Sequence, residues 1–203
     1  MNENSENRGN GKLQTEANSP NMKGFVQNVI SRIAKDTGFR AAMKRAWNPA
    51  TEPYAWPFLI EYGKVDLQNE RVRRAFGLIG SILAEKRIQS NGTQSLGSAL
   101  RNCKVSVTEA DERMERRLRR ILACDSTLEL LPILRNTLLF ILQKESVSID
   151  FGKLLWEILC FGENIKIRWA RDYYYGELSS KNSESSSKEE GFGKMESTEN
   201  GKE

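Results

Sequence analysis

The sequence predicts an all-α protein, a helical bundle of about seven to eight helices, and three observations support that fold class. Apolar residues recur at i, i+3 and i+4 through most of the chain between residues 23 and 178, which is the period of a helix with one buried side. Ser126 and Asp150 stand immediately before such runs, where a helix needs an N-terminal cap. No stretch alternates apolar and polar residues as a half-buried β-strand does.

The two ends of the chain differ in composition from the middle. Residues 1–22 and 179–203 are rich in Asn, Ser, Glu and Gly and almost lack aliphatic side chains, so we expect disordered tails. The remaining residues, 23–178, are enough for a sizeable core. We expect that core to form two small lobes, an N-terminal helical lobe at 23–90 and a C-terminal helical bundle at 106–178, joined by a turn-rich connecting loop at 91–105.

The N-terminal lobe is predicted to begin with two helices. The first covers residues 23–35 and is broken at Gly38, and the second covers residues 39–47 and ends before Pro49. The apolar side of the first helix is made by residues that lie four apart, namely Phe25, Val29 and Ile33.

Two further helices are predicted in the same lobe. Pro57 fits the first turn of a short helix, where its missing N–H costs little. A longer helix should cover 67–87, in which the poor helix formers Gly77 and Gly80 are expected to be points of close packing. Three arginines near its start could face either the solvent or another subunit: Arg71, Arg73 and Arg74.

The C-terminal lobe is predicted to contain helices joined by short turns. Capping boxes, in which a Ser and the Glu three residues later satisfy backbone N–H groups, are expected at Ser106–Glu109 and Ser126–Glu129. The first opens an Arg-rich helix that ends at Cys124, and the second opens a helix over 127–144. Asp150 should cap the next helix.

A last helix is predicted over 165–175. Arg168 and Asp172 are four residues apart on it, so they could form an ion pair on the helix surface.

Several classes of function are disfavoured by what the sequence lacks. There is no histidine, which removes His bases, Ser-His and Cys-His nucleophile pairs and His-ligated zinc. Cys103, Cys124 and Cys160 are far apart and fit free thiols in a reducing compartment better than a metal site. A carboxylate pair such as Asp125 and Glu129 is better explained by helix capping. We therefore expect no enzymatic activity, no cofactor and no metal.

Membrane insertion and secretion are also disfavoured. The longest apolar run, residues 138–142, is far too short to cross a bilayer, and the N-terminal residues contain no apolar segment of a secretory signal. We expect a soluble, cytoplasmic protein.

The Arg-rich helix is the feature with the strongest chemical character. At about 100° per residue, four arginines fall within an arc of roughly 100°. We call this set the arginine ridge: Arg113, Arg116, Arg117 and Arg120. The opposite side is apolar and comprises Met114, Leu118, Ile121 and Leu122. Such a ridge could be a plain solvated face with helical ion pairs, or it could bind phosphates, because the guanidinium fork donates two hydrogen bonds at once.

The charge balance of the chain weakly favours an anionic partner. The two tails hold six of the 31 basic residues and nine of the 27 acidic residues, so the segment between them carries an excess of seven positive charges.

Four pieces of the sequence occur in the order found in one known family. They are the basic run at 40–45, the Leu-Gly-x-Ala-Leu turn at 96–100, the stretch from Met114 to Arg135, and Arg-Trp-Ala-Arg-Asp-Tyr at 168–173. Together they cover most of residues 40–175. In these features the chain resembles the small subunit of the type I-E CRISPR surveillance complex, Cascade (the CasB family). At Ser98 the family often has a basic residue, so this chain departs from the pattern there.

The resemblance implies an all-helical subunit without enzymatic activity. It implies other Cascade subunits as partners, two copies in the complex, and contact with guide RNA and target DNA through their phosphate backbones. It also implies that a basic groove holds the displaced single-stranded DNA.

The resemblance assigns nucleic-acid contact to ten residues. These are Lys44, Arg45, Arg101, Arg113, Arg116, Arg117, Arg120, Arg135, Arg168 and Arg171. Their expected role is charge-assisted hydrogen bonding to phosphates. The alternative is a helical adaptor that binds only protein, with its basic face meeting an acidic partner.

Overall fold

The computed structural model describes residues 20–103 and 109–175, with the side chains of 109–111 left undescribed. The helices of these ranges, in chain order, are α1 (Met22–Ile33), α2 (Thr37–Arg45), α3 (Trp56–Gly63), α4 (Glu70–Lys86), α5 (Leu96–Asn102), α6 (Glu109–Leu122), α7 (Thr127–Ile141), α8 (Phe151–Leu159) and α9 (163–175). A 3-10 turn at Glu52–Ala55 precedes α3. These ranges contain no β-strand, although Gln94 and Ile149 form an isolated parallel bridge. The all-α prediction is confirmed.

Helix α4 is the centre of the bundle. It packs against α1, α2 and α3 and also against α7 and α8. Its residues 75–84 are all buried, because the helix is enclosed by neighbours around its whole circumference. Gly77 and Gly80 are close-packing points, as predicted: a Cβ on Gly77 would lie 2.7 Å from the carbonyl oxygen of Ala46, and one on Gly80 would collide with Met43.

Side-chain caps begin most of these helices. The carboxylate, amide or hydroxyl oxygen of the residue before the helix accepts a backbone N–H of the first turn. The capping residues are Asn21, Asp36, Asn69, Ser95, Ser126 and Asp150. The caps expected at Ser126 and Asp150 are thus confirmed, whereas Ser106 lies outside the described residues.

One helix boundary was predicted at the wrong residue. The first helix ends before Asp36, and Gly38 lies inside the first turn of α2 rather than in a break. Asp36 causes this, because its carboxylate accepts the N–H of Phe39 at 2.8 Å and starts α2 there. The hydrogen bond to Phe39, followed by the charge of Arg32, holds the pKa of Asp36 below its usual value.

The segment predicted as a connecting loop at 91–105 contains helix α5. Ser95 caps this helix by accepting the N–H of Ser98 at 3.3 Å. Before α5, the backbone N–H groups of Gly92 and Gln94 donate to Ile149 and Ser148 at 2.9 Å each, which ties the segment to the start of α8.

The buried apolar side chains form one continuous cluster. It extends from Phe25 on α1 through α4 to Trp169 and Tyr173 on α9. The division into lobes at 23–90 and 106–178 stays a prediction. The predicted tails, 1–22 and 179–203, lie outside the described residues except for 20–22, where Met22 begins α1.

The three cysteines of the chain are all free thiols. Cys103 and Cys124 are buried free thiols, and Cys160 is exposed. Burial raises the pKa of the Cys103 thiol and, together with Glu129, that of Cys124. Within 20–103 and 109–175, no helix combines the length and the apolar character needed to cross a bilayer.

Candidate nucleic-acid interface

Helix α6 presents its apolar side to the bundle and its arginines to the solvent. Met114, Leu118 and Ile121 are buried, as the helical period predicts. Arg113, Arg116 and Arg120 of the arginine ridge are exposed on the opposite side. The sequence thus fixes the orientation of the ridge, because rotating α6 would expose its apolar side chains and bury guanidinium groups.

Arg116 is only loosely engaged with the protein. Its Nη2 lies 3.6 Å from the carboxylate of Glu112, and the two side chains are 66% and 72% exposed. An exposed ion pair of this kind contributes little, because water screens both charges. The guanidinium group can therefore exchange this partner for a phosphate at little cost.

Arg117 differs from its neighbours because it is half-buried. Its guanidinium carbon lies 4.2 Å from the centroid of the Phe140 ring on α7, a cation–π contact. Burial first, and then the charge of Arg120, lower the pKa of Arg117 from its ordinary value. Because the ordinary pKa of arginine is so high, the group keeps its charge at neutral pH.

Arg119, the fifth arginine of α6, binds its own helix instead of joining the ridge. Its Nη2 lies 2.7 Å from Oε1 of Glu115, and the nearby carboxylate raises the pKa of Arg119. The hydroxyl of Tyr174 on α9 donates to the same oxygen at 3.0 Å. Glu115 thereby joins α6 to α9 and fixes how the ridge sits on the bundle.

Two of the other predicted residues lie together on α2. Lys44 and Arg45 are exposed in its last turn. The Arg45 guanidinium carbon is 5.3 Å from the centroid of the exposed Tyr54 ring in the 3-10 turn. This pair is on a different helix from the arginine ridge.

Arg101 and Arg171 meet where α5 packs against α9. Nη1 of Arg101 donates to the carbonyl oxygen of Asp172 at 2.7 Å, so this arginine holds the two helices together. Arg171 is exposed, and its Nη2 is 3.8 Å from the carboxylate of Asp172. Arg101 is thus bonded within the fold, whereas Arg171 is exposed to solvent.

Arg135 is half-buried and bonds to a neighbouring helix. Its Nη2 is 2.8 Å from Glu85 on α4, and its guanidinium carbon is 5.6 Å from the ring centroid of Trp47. These contacts join α7 to α4 and to the turn that follows α2. Phosphate contact by Arg135 stays a prediction, and the structure gives it a role in packing.

Arg168 also pairs inside the protein. Its Nη1 is 3.5 Å from the buried carboxylate of Glu157, which accepts Trp169 Nε1–H at 2.7 Å. The helix-surface pair with Asp172 proposed from the sequence is not the one that forms, because Glu157 on α8 is available at the helix interface. Phosphate contact by Arg168 likewise stays a prediction.

Of the three arginines near the start of α4, Arg71 is exposed, whereas Arg73 and Arg74 turn inward. Glu52 is only 3% exposed and accepts Arg73 Nε–H at 3.1 Å. Arg74 lies 3.9 Å from the same carboxylate and donates to the carbonyl oxygen of Trp47 at 2.8 Å. The sequence left these arginines open between solvent and subunit contact, since nothing local indicates a carboxylate partner 21 residues away.

No metal-binding chemistry is evident in the described part of the chain. Among the described side chains, those of 20–103 and 112–175, no cluster of Cys, Asp and Glu could hold an ion. Glu129 accepts the N–H of Asp125 at 2.9 Å, and its own N–H donates to Ser126 at 3.2 Å. This carboxylate therefore serves the start of α7, as the sequence predicted.

Comparisons with known proteins agree on one family. Residues 39–174 match the family described as CRISPR-associated protein Cse2. No curated protein matches the chain. Among solved structures, the crystal structure of CasB from Thermus thermophilus is similar over 75% of this chain and 97% of that chain, with 26% identity and a TM-score of 0.56.

Two further structures share the fold. A chain of a CRISPR RNA-guided surveillance complex is 21% identical, with a TM-score of 0.62 over 79% of this chain and 96% of that one. A chain of such a complex in a pre-nicking state is 20% identical, with a TM-score of 0.65 over 79% and 97% of the two chains.

Proposed function

This chain belongs to the CRISPR-associated Cse2 family, and we propose that it is a non-catalytic subunit of a CRISPR RNA-guided surveillance complex. The family match confirms the resemblance seen in the sequence. In this proposal the subunit stabilises the guide RNA–target DNA heteroduplex and holds the displaced DNA strand on a basic face. Other subunits of the complex are its partners, and two copies associate within it.

The arginine ridge of α6 is the observation that carries this proposal. Arg113, Arg116 and Arg120 project from the outer side of a helix whose inner side is buried, so the packing of the helix decides which way they face. Guanidinium groups suit phosphate oxygens, because their planar fork donates two hydrogen bonds at once. Base pairing with the guide would supply the sequence specificity, and this subunit would bind backbone.

Exposure and bonding divide the predicted residues into two groups. Arg116 and Arg120 are exposed and belong to the ridge, so we assign them direct phosphate contacts. Arg101, Arg135 and Arg168 each bond to another helix of the protein, and we assign them chiefly to holding the bundle.

A salt titration with single-stranded DNA tests the ridge. The double variant Arg116→Gln, Arg120→Gln should bind more weakly than the wild type. Removing two phosphate contacts should also lower the slope of log affinity against log salt by about 1.4, at roughly 0.7 per phosphate on a single strand. Arg117 is left unchanged, because its packing on Phe140 would confuse binding with folding.

A matched control removes the same charge elsewhere. Lys35→Gln with Arg71→Gln changes two exposed cations outside α6 and should leave the salt slope unchanged. Equal losses in both double variants would show that only net charge matters, which contradicts a ridge. A wild-type chain that binds no DNA at any salt concentration would instead favour the protein-binding adaptor.

The assembled complex tests the role itself. With Arg116 and Arg120 replaced by Gln, guide pairing should still open the target, but the displaced strand should be released sooner. A fluorescent adenine analogue in that strand reports its return to the duplex. An unchanged release rate in an intact complex would contradict the role in holding the strand.

A further inference from the structure

A cleft between α5 and α9 lies apart from the arginine ridge. Its volume is about 530 Å3, and it is lined by Ser98, Arg101, Arg171, Asp172 and Tyr175. These side chains combine two guanidinium groups, one carboxylate, one hydroxyl and one phenol ring.

The walls of the cleft are held rigidly. Gly97 of α5 is buried against α9, where a Cβ would collide with the carbonyl oxygen of Trp169 and lie 2.9 Å from Asp172 Cβ. Arg101 then fastens the two helices through its 2.7 Å hydrogen bond to the carbonyl oxygen of Asp172. Two contacts between α5 and α9 thus hold the walls of the cleft together.

The net charge of the lining residues favours binding of a single anionic group in the cleft. Arg101 and Arg171 outnumber Asp172, which leaves a net positive charge among the lining residues. The ion pair between Arg171 and Asp172 is long, at 3.8 Å, and Arg171 is 65% exposed, so the pair contributes little. Arg171 can thus accept a phosphate, while Arg101 stays in its structural bond and adds positive potential.

Tyr175 gives the cleft a flat apolar surface. It is 66% exposed, although it is one of the largest side chains of α9. Arg171 lies four residues before it, so ring and guanidinium share one side of the helix. An exposed aromatic ring beside fixed positive charge is the combination with which proteins hold single-stranded nucleic acid.

The end of α9 lies alongside α6. Tyr174, the residue before Tyr175, donates to Glu115 on α6 at 3.0 Å, which places the end of α9 alongside that helix. Helix α5 also packs against α6. Both helices that form the cleft therefore contact α6.

We propose that this cleft seats one nucleotide of a single strand, with its base stacked on Tyr175 and a phosphate on Arg171. This inference rests on the proposed function, and it adds base stacking to what is otherwise backbone binding. A nucleotide supplies a flat ring and an anion together, whereas an acidic peptide would leave the exposed ring of Tyr175 unused. Stacking tolerates every base, so the cleft would hold the strand without reading its sequence.

Two strands of equal length separate stacking from charge. The full-length chain is titrated with labelled oligothymidine and with a labelled abasic strand that keeps only sugar and phosphate. Tyr175→Leu should lower the affinity for oligothymidine by about 5- to 150-fold, which corresponds to the loss of one stacked base. It should leave the affinity for the abasic strand unchanged, and Tyr175→Phe should bind both strands as the wild type does.

The control is an exposed aromatic residue at another site. Trp156 on α8 lines a different hollow, with Lys23 and Lys153, and Trp156→Leu should have no effect on either strand. The proposal is overturned if Tyr175→Leu keeps wild-type affinity, if it loses affinity equally for both strands, or if Trp156→Leu loses as much. A wild-type chain that binds neither strand overturns the proposed function itself, which is a separate outcome.

Discussion

The buried carboxylate of Glu52 draws two arginine side chains inward. Nε of Arg73 lies 3.1 Å from Oε1 of Glu52, and Nη1 of Arg74 lies 3.9 Å from Oε2. Arg73 also packs against Trp56, and Arg74 lies over Trp47. These two arginines are consequently part of the protein's interior, whereas Arg116 and Arg120 on α6 project into solvent.

We expect Glu52→Gln to destabilise the protein by about 3 kcal/mol, because removing one partner of a buried pair leaves the opposite charge uncompensated. Urea unfolding followed by circular dichroism measures this change in the free energy of unfolding. DNA affinity should be unaffected under conditions where the variant is folded, since neither Arg73 nor Arg74 is placed on the binding face.

Glu112→Gln is the matched control, since it removes one carboxylate from an arginine pair that is mostly exposed to solvent. Glu112 and Arg116 are 3.6 Å apart and mostly exposed. The expected loss is below about 1 kcal/mol. If the two substitutions cost the same, burial does not set the strength of the Glu52 pair.

The buried side of α6 was predictable, because Met114, Leu118 and Ile121 repeat at the helical period and no other orientation hides them. The pairing of Arg73 with Glu52 was not predictable from the sequence, because the two residues are 21 positions apart and meet only in the folded chain. Periodicity specifies which side of a helix is buried, but it does not specify which charges meet across helices.

At the scale of elements, the long periodic helices were the predictable ones. Helix α7 is an example, because Ser126 and Glu129 form the capping box that predicts its start. Its apolar side then repeats through Leu130, Leu134 and Leu138. Helix α5 was missed, because seven residues give too short a period and its Ser and Gly content is typical of a turn. Its stability comes from tertiary contacts instead, through Gly97 against α9 and Arg101 bonded to Asp172.

The packing of α5 against α9 makes a prediction about Gly97. Gly97→Ala should destabilise the protein by about 1–3 kcal/mol, the usual cost of overpacking a tight contact. The new methyl would meet the backbone of Trp169, which cannot move aside as a flexible side chain could. Thermal or urea unfolding measures the effect, and the substitution should also weaken DNA binding if the cleft is a binding site.

Gly38→Ala is the comparison for Gly97→Ala. Gly38 lies in the first turn of α2, and its added methyl would meet only Asp36 Oδ1, at 3.4 Å. No glycine of the described residues has a positive φ, so backbone strain affects neither substitution. Gly38→Ala should be neutral or stabilise by up to about 1 kcal/mol, since alanine favours helix. A loss as large as that of Gly97→Ala would exclude steric contact as the cause.

On the scale of the whole molecule, the position of α4 bears on how the bundle unfolds. This helix belongs by sequence to the N-terminal part, yet it packs against α7 and α8 of the C-terminal part. Phe25 and Trp169, from opposite ends of the described chain, belong to the same buried cluster. Separating the two parts would expose one whole side of α4, whose residues 75–84 are buried all round.

We therefore expect the two parts at 23–90 and 106–178 to unfold as one cooperative unit. Hydrogen exchange followed by mass spectrometry tests this on the intact chain, without any substitution. The slowest amides of α4 and of α7 should exchange with the same opening free energy, because both open only when the shared core opens. Urea should lower the two values with the same slope, since the same surface is exposed.

Helix α6 serves as the internal reference: its outer side is solvated, so its amides should open more easily by local fluctuation. Different free energies and different urea slopes for α4 and α7 would show two independently folding lobes, and would favour the division suggested by the sequence over the continuous core.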